Sequence, residues 1–161
     1  MEWQRRMITI SDILIPEYID LDLKFTNQEE LVHHIAMLLR PEPNVKDWQG
    51  FYDGLKATDV SVLEENGVRL CIPHVRSKSV KMMVMAAGRS EVEQEAPASK
   101  SKPFVQYTFV IGVPHALASD YLRIIGALAR IFKDQSTEAQ LRSVENPEEF
   151  LAILTRKEMH L

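Results

Sequence analysis

The stretch Gly67 to Arg76, GVRLCIPHVR, gathers the residue types best suited to chemistry in this chain. Its centre is His74. An imidazole with a pKa near ~6.5 is largely an unprotonated nucleophile at neutral pH. A phosphoryl group placed on such a ring needs cations and N–H donors around its oxygens. Arg76, two residues on, supplies a cation, and backbone N–H groups of the loop expected there can supply donors. Pro73 cannot donate to a ladder, so a strand over 68–72, VRLCI, is expected to end there. His74 then falls where a sheet edge gives way to a loop, at the C-terminal end of a strand, where α/β folds place their ligands. Residue types alone make this a weak signal. A histidine beside a proline and an arginine is common, and on composition an incidental or structural His74 is the more frequent case.

The other reactive side chains have blander readings. Cys71 precedes His74 by three positions, and residues so spaced on a strand face opposite ways, so Cys71 reads as core rather than as a thiol partner. His33 and His34 fall on a helix and read as solvated surface. No His, Cys, Asp or Glu cluster has zinc spacing. Met82, Met83 and Met85 read as sheet core, Ser77, Lys78 and Ser79 as a solvated turn, and Trp48 and Phe51 as helix packing.

Bulk properties narrow the class. The 161 residues suit one domain over 1–161 with a sizeable core. Hydrophobic residues make up 45% and charged residues 26%, the balance of a folded globular chain. A formal net charge of -4 argues against nucleic-acid binding, which calls for a basic surplus. No apolar run approaches the ~18 residues of a membrane span. The opening MEWQRRMITI lacks the apolar core of a signal peptide. A single cysteine excludes an intramolecular disulfide and suits a reducing compartment, so a cytoplasmic location is expected.

The elements that must position these residues follow from periodicity. In YIDLDLK, 18–24, Ile19, Leu21 and Leu23 alternate with polar residues, as in a half-buried strand. Asn27 and Glu30 open a helix with capping-box chemistry, carrying Leu31, Ile35 and Leu38 until Pro41. A second helix starts near Asp47, with Trp48, Phe51, Tyr52 and Leu55 as its stripe. Residues 80–87 and 104–113 read as buried strands, and 88–103, polar and almost without apolar residues, as a long exposed loop that includes Glu91 to Glu95. Ser119 is expected to cap a helix with Leu122, Ile125, Leu128, Ala129 and Phe132 inward. Ser136 caps a short helix through Leu141, and Asn146, Pro147 and Glu149 open the last one. Strands and helices interleave without strict βαβ alternation. The expected fold class is α/β, a mixed central sheet with helices on both faces.

The segment before His74 resembles that of the phosphotransferase-system EIIA domains of the mannitol, fructose and nitrogen-regulatory type. In these a Gly-containing strand ends in I-A-I-P-H, and the histidine accepts the phosphoryl group. Here Cys71, Ile72 and Pro73 precede His74, with Gly67 upstream. MITISDILIPEYIDLDLKFTNQEELVHHIAMLL is similar to the family's first strands and helix, VKDWQGFYDGLKA to its second helix, and VQYTFVIGVPHALASDYLRIIGALARIF with the tail to its C-terminal half. The resemblance covers about 7–156.

It implies the EIIA mannitol/fructose-type fold and transfer of a phosphoryl group from a phosphohistidine on an HPr-type carrier to an EIIB cysteine, or a phosphorylation-state signal. It implies no metal or organic cofactor, no nucleic acid and no membrane embedding. Two positions depart from the pattern. Where the family has a second histidine opening the long C-terminal helix, this chain has Tyr121, whose hydroxyl can donate to a phosphoryl oxygen but is no second imidazole. His115 lies six residues earlier, out of register for a direct substitute. The family's Arg-Glu pair after helix two is also missing, and Lys56 keeps only a point charge. The candidate site is therefore His74 as acceptor with Arg76, Tyr121 and His115 around it. The alternative is a diverged, non-catalytic regulatory module that binds a kinase, transporter or transcription regulator.

Overall fold

A computed structural model describes residues 7–25, 27–56, 61–92 and 104–161. The chain begins with a single helical turn, α1 (Ile10–Ile13), and then β1 (Ile19–Lys24). Two helices follow, α2 (Gln28–Met37) and α3 (Trp48–Leu55). The strands β2 (Ser61–Glu65), β3 (Val68–Cys71), β4 (His74–Arg76), β5 (Val84–Val92) and β6 (Phe104–Val113) come next. The chain ends with α4 (Ala118–Lys133), α5 (Gln135–Ser143) and α6 (Pro147–Met159).

All six strands form one mixed sheet in the order β1-β5-β6-β3-β2, with β4 also on β6. β1 runs parallel to β5, β5 antiparallel to β6, and β3 and β4 parallel to β6. The helices cover both faces. On one side Tyr107 and Phe109 of β6 meet Phe132 of α4, and Tyr107 meets Phe150 of α6. On the other, Gln106 of β6 exchanges two amide hydrogen bonds, 2.7 and 2.8 Å, with Gln28 of α2. The alternation along β6 thus sends Tyr107 and Phe109 to one layer and Gln106 and Thr108 to the other.

Several helix starts are as expected. Asn27 Oδ1 accepts from the Glu29 and Glu30 N–H groups, Asp47 from Gly50, and Asn146 from Glu149 with Pro147 at the first helical position. Two starts differ. A 3₁₀ turn at His115–Leu117 leads directly into α4, so Ser119 lies inside the helix and caps nothing. This turns the buried stripe to Ile124, Ala127, Leu128, Ile131 and Phe132 and leaves Leu122 61% exposed. α5 is capped by Asp134, two residues before Ser136; its carboxylate accepts from the Ser136 N–H and also holds Lys157 of α6 at 2.6 Å.

The middle of the sheet corrects three further expectations. The strand expected at 80–87 begins at Val84 and runs to Val92, so Gly88 to Val92 are not part of an exposed loop. Residues 93–103 of that loop lie outside the described residues. β5 is a central strand, hydrogen-bonded by β1 and β6 on its two sides, and this pairing outweighs its polar composition. Its polar groups are satisfied: Ser90, 2% exposed, donates to the Gln106 carbonyl, and Arg89 donates to the Leu141 and Val144 carbonyls at the end of α5. Met83 and Met85 are core, but Met82 precedes the strand and is 49% exposed. β2 was not anticipated. It joins β3 through Asn66 and Gly67, whose φ values of 56° and 76° are the left-handed pair that a tight hairpin requires.

Candidate functional site

β3 and β4 are one strand with an interruption. Cys71 pairs with Thr108 and His74 with Ile111, three residues on along each strand, so the parallel ladder resumes after Pro73 without a shift. Pro73 removes only its own N–H, and its carbonyl still accepts from Ile111 at 2.9 Å. The expectation that the chain leaves the sheet at Pro73 is corrected: His74 opens a short strand instead of a loop.

That register decides where the side chains go. Val75 faces α3, where a Cβ on Gly54 would lie 2.9 Å from its Cγ2, so the absent side chain at Gly54 lets the helix seat against β4. His74 faces the opposite layer. Its ring lies 5.3 Å from that of Tyr121, tilted by 35°. Tyr121 belongs to the first turn of the 16-residue α4, so this contact brings His74 near the positive end of a helix dipole. Cys71 is buried and, paired with Thr108, faces the α2 layer, away from His74.

The imidazole is oriented by the backbone. His74 Nδ1 lies 2.7 Å from the Ile72 carbonyl. A carbonyl only accepts, so Nδ1 carries the proton and donates it, and Nε2 holds the ring's lone pair. The ring is half-buried, and in this tautomer Nε2 is the nitrogen able to act as a nucleophile.

Arg76 is exposed at the end of β4, on the His74 face by alternation, and makes no ion pair among the described residues. His115 stands exposed in the 3₁₀ turn before α4, without a contact to His74. Lys56 does not point its charge at His74 but is held by Asp53 at 3.3 Å and lies over the Tyr52 ring at 5.1 Å. The structure thus joins His74 to Tyr121, places Arg76 two residues along β4 on the same face, and leaves His115 in the turn before α4. Sequence reasoning missed the Ile72 carbonyl and Gly54. The first has no signature in residue type. The second was visible as a glycine four residues after Gly50 within a helix. Among the described residues no group of three or more His, Cys, Asp or Glu is placed to hold a metal ion, and no helix is long and apolar enough to cross a membrane.

Comparison with known proteins places this geometry in context. Residues 12–157 match the family model described as phosphoenolpyruvate-dependent sugar phosphotransferase system, EIIA 2. A PTS system fructose-specific EIIA component of Haloferax volcanii is 26% identical over 137 residues, 85% of this chain and 88% of that one. The crystal structure of the nitrogen regulatory protein IIA-Ntr from Neisseria meningitidis superposes with a TM-score of 0.71 at 27% identity, covering 90% of this chain and 98% of that one. IIA mannitol from Escherichia coli superposes with a TM-score of 0.62 at 18% identity, over 88% of this chain and 98% of that one, and so shares the fold. The fold is the EIIA mannitol type, and the chain belongs to the EIIA 2 family of the phosphoenolpyruvate-dependent sugar phosphotransferase system.

Proposed function

We propose that His74 is a phosphoryl acceptor. Its Nε2 lone pair attacks the phosphorus of a phosphohistidine on an HPr-type carrier. The donor's N–P bond breaks as the new bond forms, and the electron pair returns to the donor ring. In the onward step a cysteine thiolate of an EIIB domain attacks the same phosphorus, and Nε2 recovers its lone pair. Alternatively the phosphoryl group stays on His74 as a signal. The observation that carries this reading is the 2.7 Å bond from Nδ1 to the Ile72 carbonyl. It places the proton of the neutral ring on Nδ1, which leaves Nε2 as the nucleophilic nitrogen, and it stabilises the positive charge that the ring acquires when Nε2 is substituted. Tyr121 O–H, Arg76 and the first N–H groups of α4 are assigned to the phosphoryl oxygens. His115 is assigned to the outer edge. The chemistry is positioning and electrostatics and needs no metal or organic cofactor. An EIIB partner is further supported by the solved complex of enzyme IIA mannitol with phosphorylated enzyme IIB mannitol from Escherichia coli, whose IIA fold this chain shares at a TM-score of 0.62.

A second reading, a non-catalytic regulatory module docking partners through the His74 face, is favoured by two side chains. Tyr121 occupies the position of the family's second histidine, and Lys56 is engaged elsewhere. One experiment separates the two. Incubation with a phosphorylated HPr-type carrier should place acid-labile phosphate on wild type and none on His74→Ala. Wild type that stays unlabelled removes the acceptor reading and leaves the regulatory one.

A further inference from the structure

Beyond His74 the chain turns basic. From Asn66 to Ser90 it holds five cations and no Asp or Glu, although the whole chain carries a net charge of -4. Two of the five are engaged. Arg69 pairs with Glu64 at 3.3 Å, and Arg89 donates to the Leu141 and Val144 carbonyls. Arg76, Lys78 and Lys81 are exposed and make no ion pair among the described residues.

The loop that carries them is fixed along its length. The Ser77 N–H donates to the Val113 carbonyl at 3.0 Å, and the Ser79 N–H to Ser77 Oγ at 3.0 Å. An antiparallel bridge between Val45 and Val80 ties the loop to the segment before α3. Lys46 N–H donates to the Ser79 carbonyl at 2.7 Å, and Lys81 N–H to the Asn44 carbonyl at 2.8 Å. Val45 and Val80 are buried, so their extended neighbours Lys46 and Lys81 point outward. The bridge thus adds a fourth exposed cation from a distant part of the chain. Val80 packs at the end of β6, where a Cβ on Gly112 would lie 3.0 Å from its Cγ2 and 2.9 Å from Phe51 of α3. The loop therefore passes from the His74 face, where Arg76 stands, round the end of the sheet to the α3 side.

Like charges gathered in this way repel one another, so the fold gains nothing from their arrangement. The acids closest in sequence to Lys46 have other partners: Asp47 accepts from the Gly50 N–H and Glu42 from the Asn44 N–H. Large apolar side chains stand beside the cations. Leu122, which follows Tyr121 on α4, is 61% exposed, and Met82, which follows Lys81, is 49% exposed. Apolar groups next to a charged rim suit a protein partner, whereas a bare polyanion calls for cations alone.

We infer that Arg76, Lys78, Lys81 and Lys46 form a docking surface for an acidic, leucine-bearing segment of the partner protein that engages His74. The inference takes from the proposed function only that a partner comes to His74. Carboxylates of the partner meet the fixed row of cations, and an apolar side chain meets Leu122. The charges steer the encounter, and a surface already ordered spends less on ordering when it binds.

The probe is a synthetic peptide of leucine and glutamate, with a leucine and lysine peptide of the same pattern as control, titrated into the full chain by NMR. The acidic peptide should shift the amide signals of Lys46, Arg76, Lys78 and Lys81, and the control should not. Added salt should weaken the binding. The Lys78→Glu, Lys81→Glu double variant should bind about tenfold more weakly at an unchanged melting temperature. Leu122→Ala should cost about fivefold. Wild type that binds the peptide but takes no label from a phosphorylated carrier would lose the acceptor reading and keep this surface. Equal binding of the control, shifts confined to another face, an affinity insensitive to either variant, or tighter binding of anionic phospholipid vesicles or double-stranded DNA would overturn the inference.

Discussion

At the scale of single residues, the site depends on two atoms of different origin. The proposed acceptor, His74, could be singled out in the sequence, because a proline precedes it and collinearity with the family covers most of the chain. Its tautomer could not, because the Ile72 carbonyl is backbone and carries no signature in residue type. The Tyr121 position could be singled out by alignment of motifs, and the ring contact at 5.3 Å sets it beside His74, where the proposed role is to donate to the phosphoryl group. Two substitutions test that role. Tyr121→Phe keeps the ring and removes the donor, so phosphoryl uptake should slow by about three- to tenfold, the worth of one hydrogen bond in the transition state. Tyr121→His restores an imidazole beside His74 and should speed uptake. Single-turnover labelling from a phosphorylated carrier measures both. An unchanged rate in Tyr121→Phe would mean that the hydroxyl does not touch the phosphoryl group.

At the scale of elements, β1, β3 and β6 lie within a residue of the expected strands and three helix caps are as expected, whereas β5 is displaced. Asn27, Asp47 and Asn146 announce helices by local chemistry, since a side-chain acceptor is needed within three residues. β5 gives no such sign. Gly88 to Val92 look like loop, and they are strand only because β1 and β6 pair with them from distant parts of the chain. β2 could have been found from the Asn66 and Gly67 dipeptide. The seat of α3 on β4 yields a test whose sign opposes intrinsic propensity. Alanine is worth about 1 kcal/mol over glycine in an exposed helix. Gly54→Ala should nonetheless destabilise the protein, by about 1–2 kcal/mol, because its Cβ meets a stiff valine branch at 2.9 Å. Val75→Ala in the same chain should recover most of that loss in denaturant titrations. Additive effects would refute the contact.

At the scale of the whole molecule, two carboxylates tie distant segments and respond oppositely to pH. Asp134 caps α5 and holds Lys157 of α6. Its hydrogen bonds to Lys157, Thr137 and Ser136 keep its pKa well below the usual carboxylate range. A depressed acid contributes stability above its unfolded pKa of about 3.9 and loses it as pH falls. Asp134→Asn should therefore lower the melting temperature at pH 7, by a margin that narrows below about pH 4. Glu158 accepts from the Ile10 N–H at 3.0 Å and joins α6 to α1, but burial pushes its pKa up despite that bond. A raised acid contributes below its unfolded pKa of about 4.3 and loses that contribution as pH rises through the folded value. Glu158→Gln keeps an acceptor for Ile10 and removes the desolvated charge. The variant's melting temperature at pH 7 should equal or exceed that of wild type, with less advantage near pH 4. A variant that is less stable at pH 7 would show that the charge itself holds α1.

The unshifted ladder across Pro73 also sets a rule about chain length. Cys71 and His74 are each locked to β6, and neighbouring residues on β4 face opposite layers. Removing or adding one residue at positions 72–73 would turn the imidazole toward α3 and put its neighbour against Tyr121. A chain that is to keep this imidazole against Tyr121 can exchange residue types at 72–73 only within the limits of the buried Ile72 site, and it cannot alter their number. A change of length at this point would carry the imidazole away from Tyr121, even where the histidine itself is still spelled in the chain.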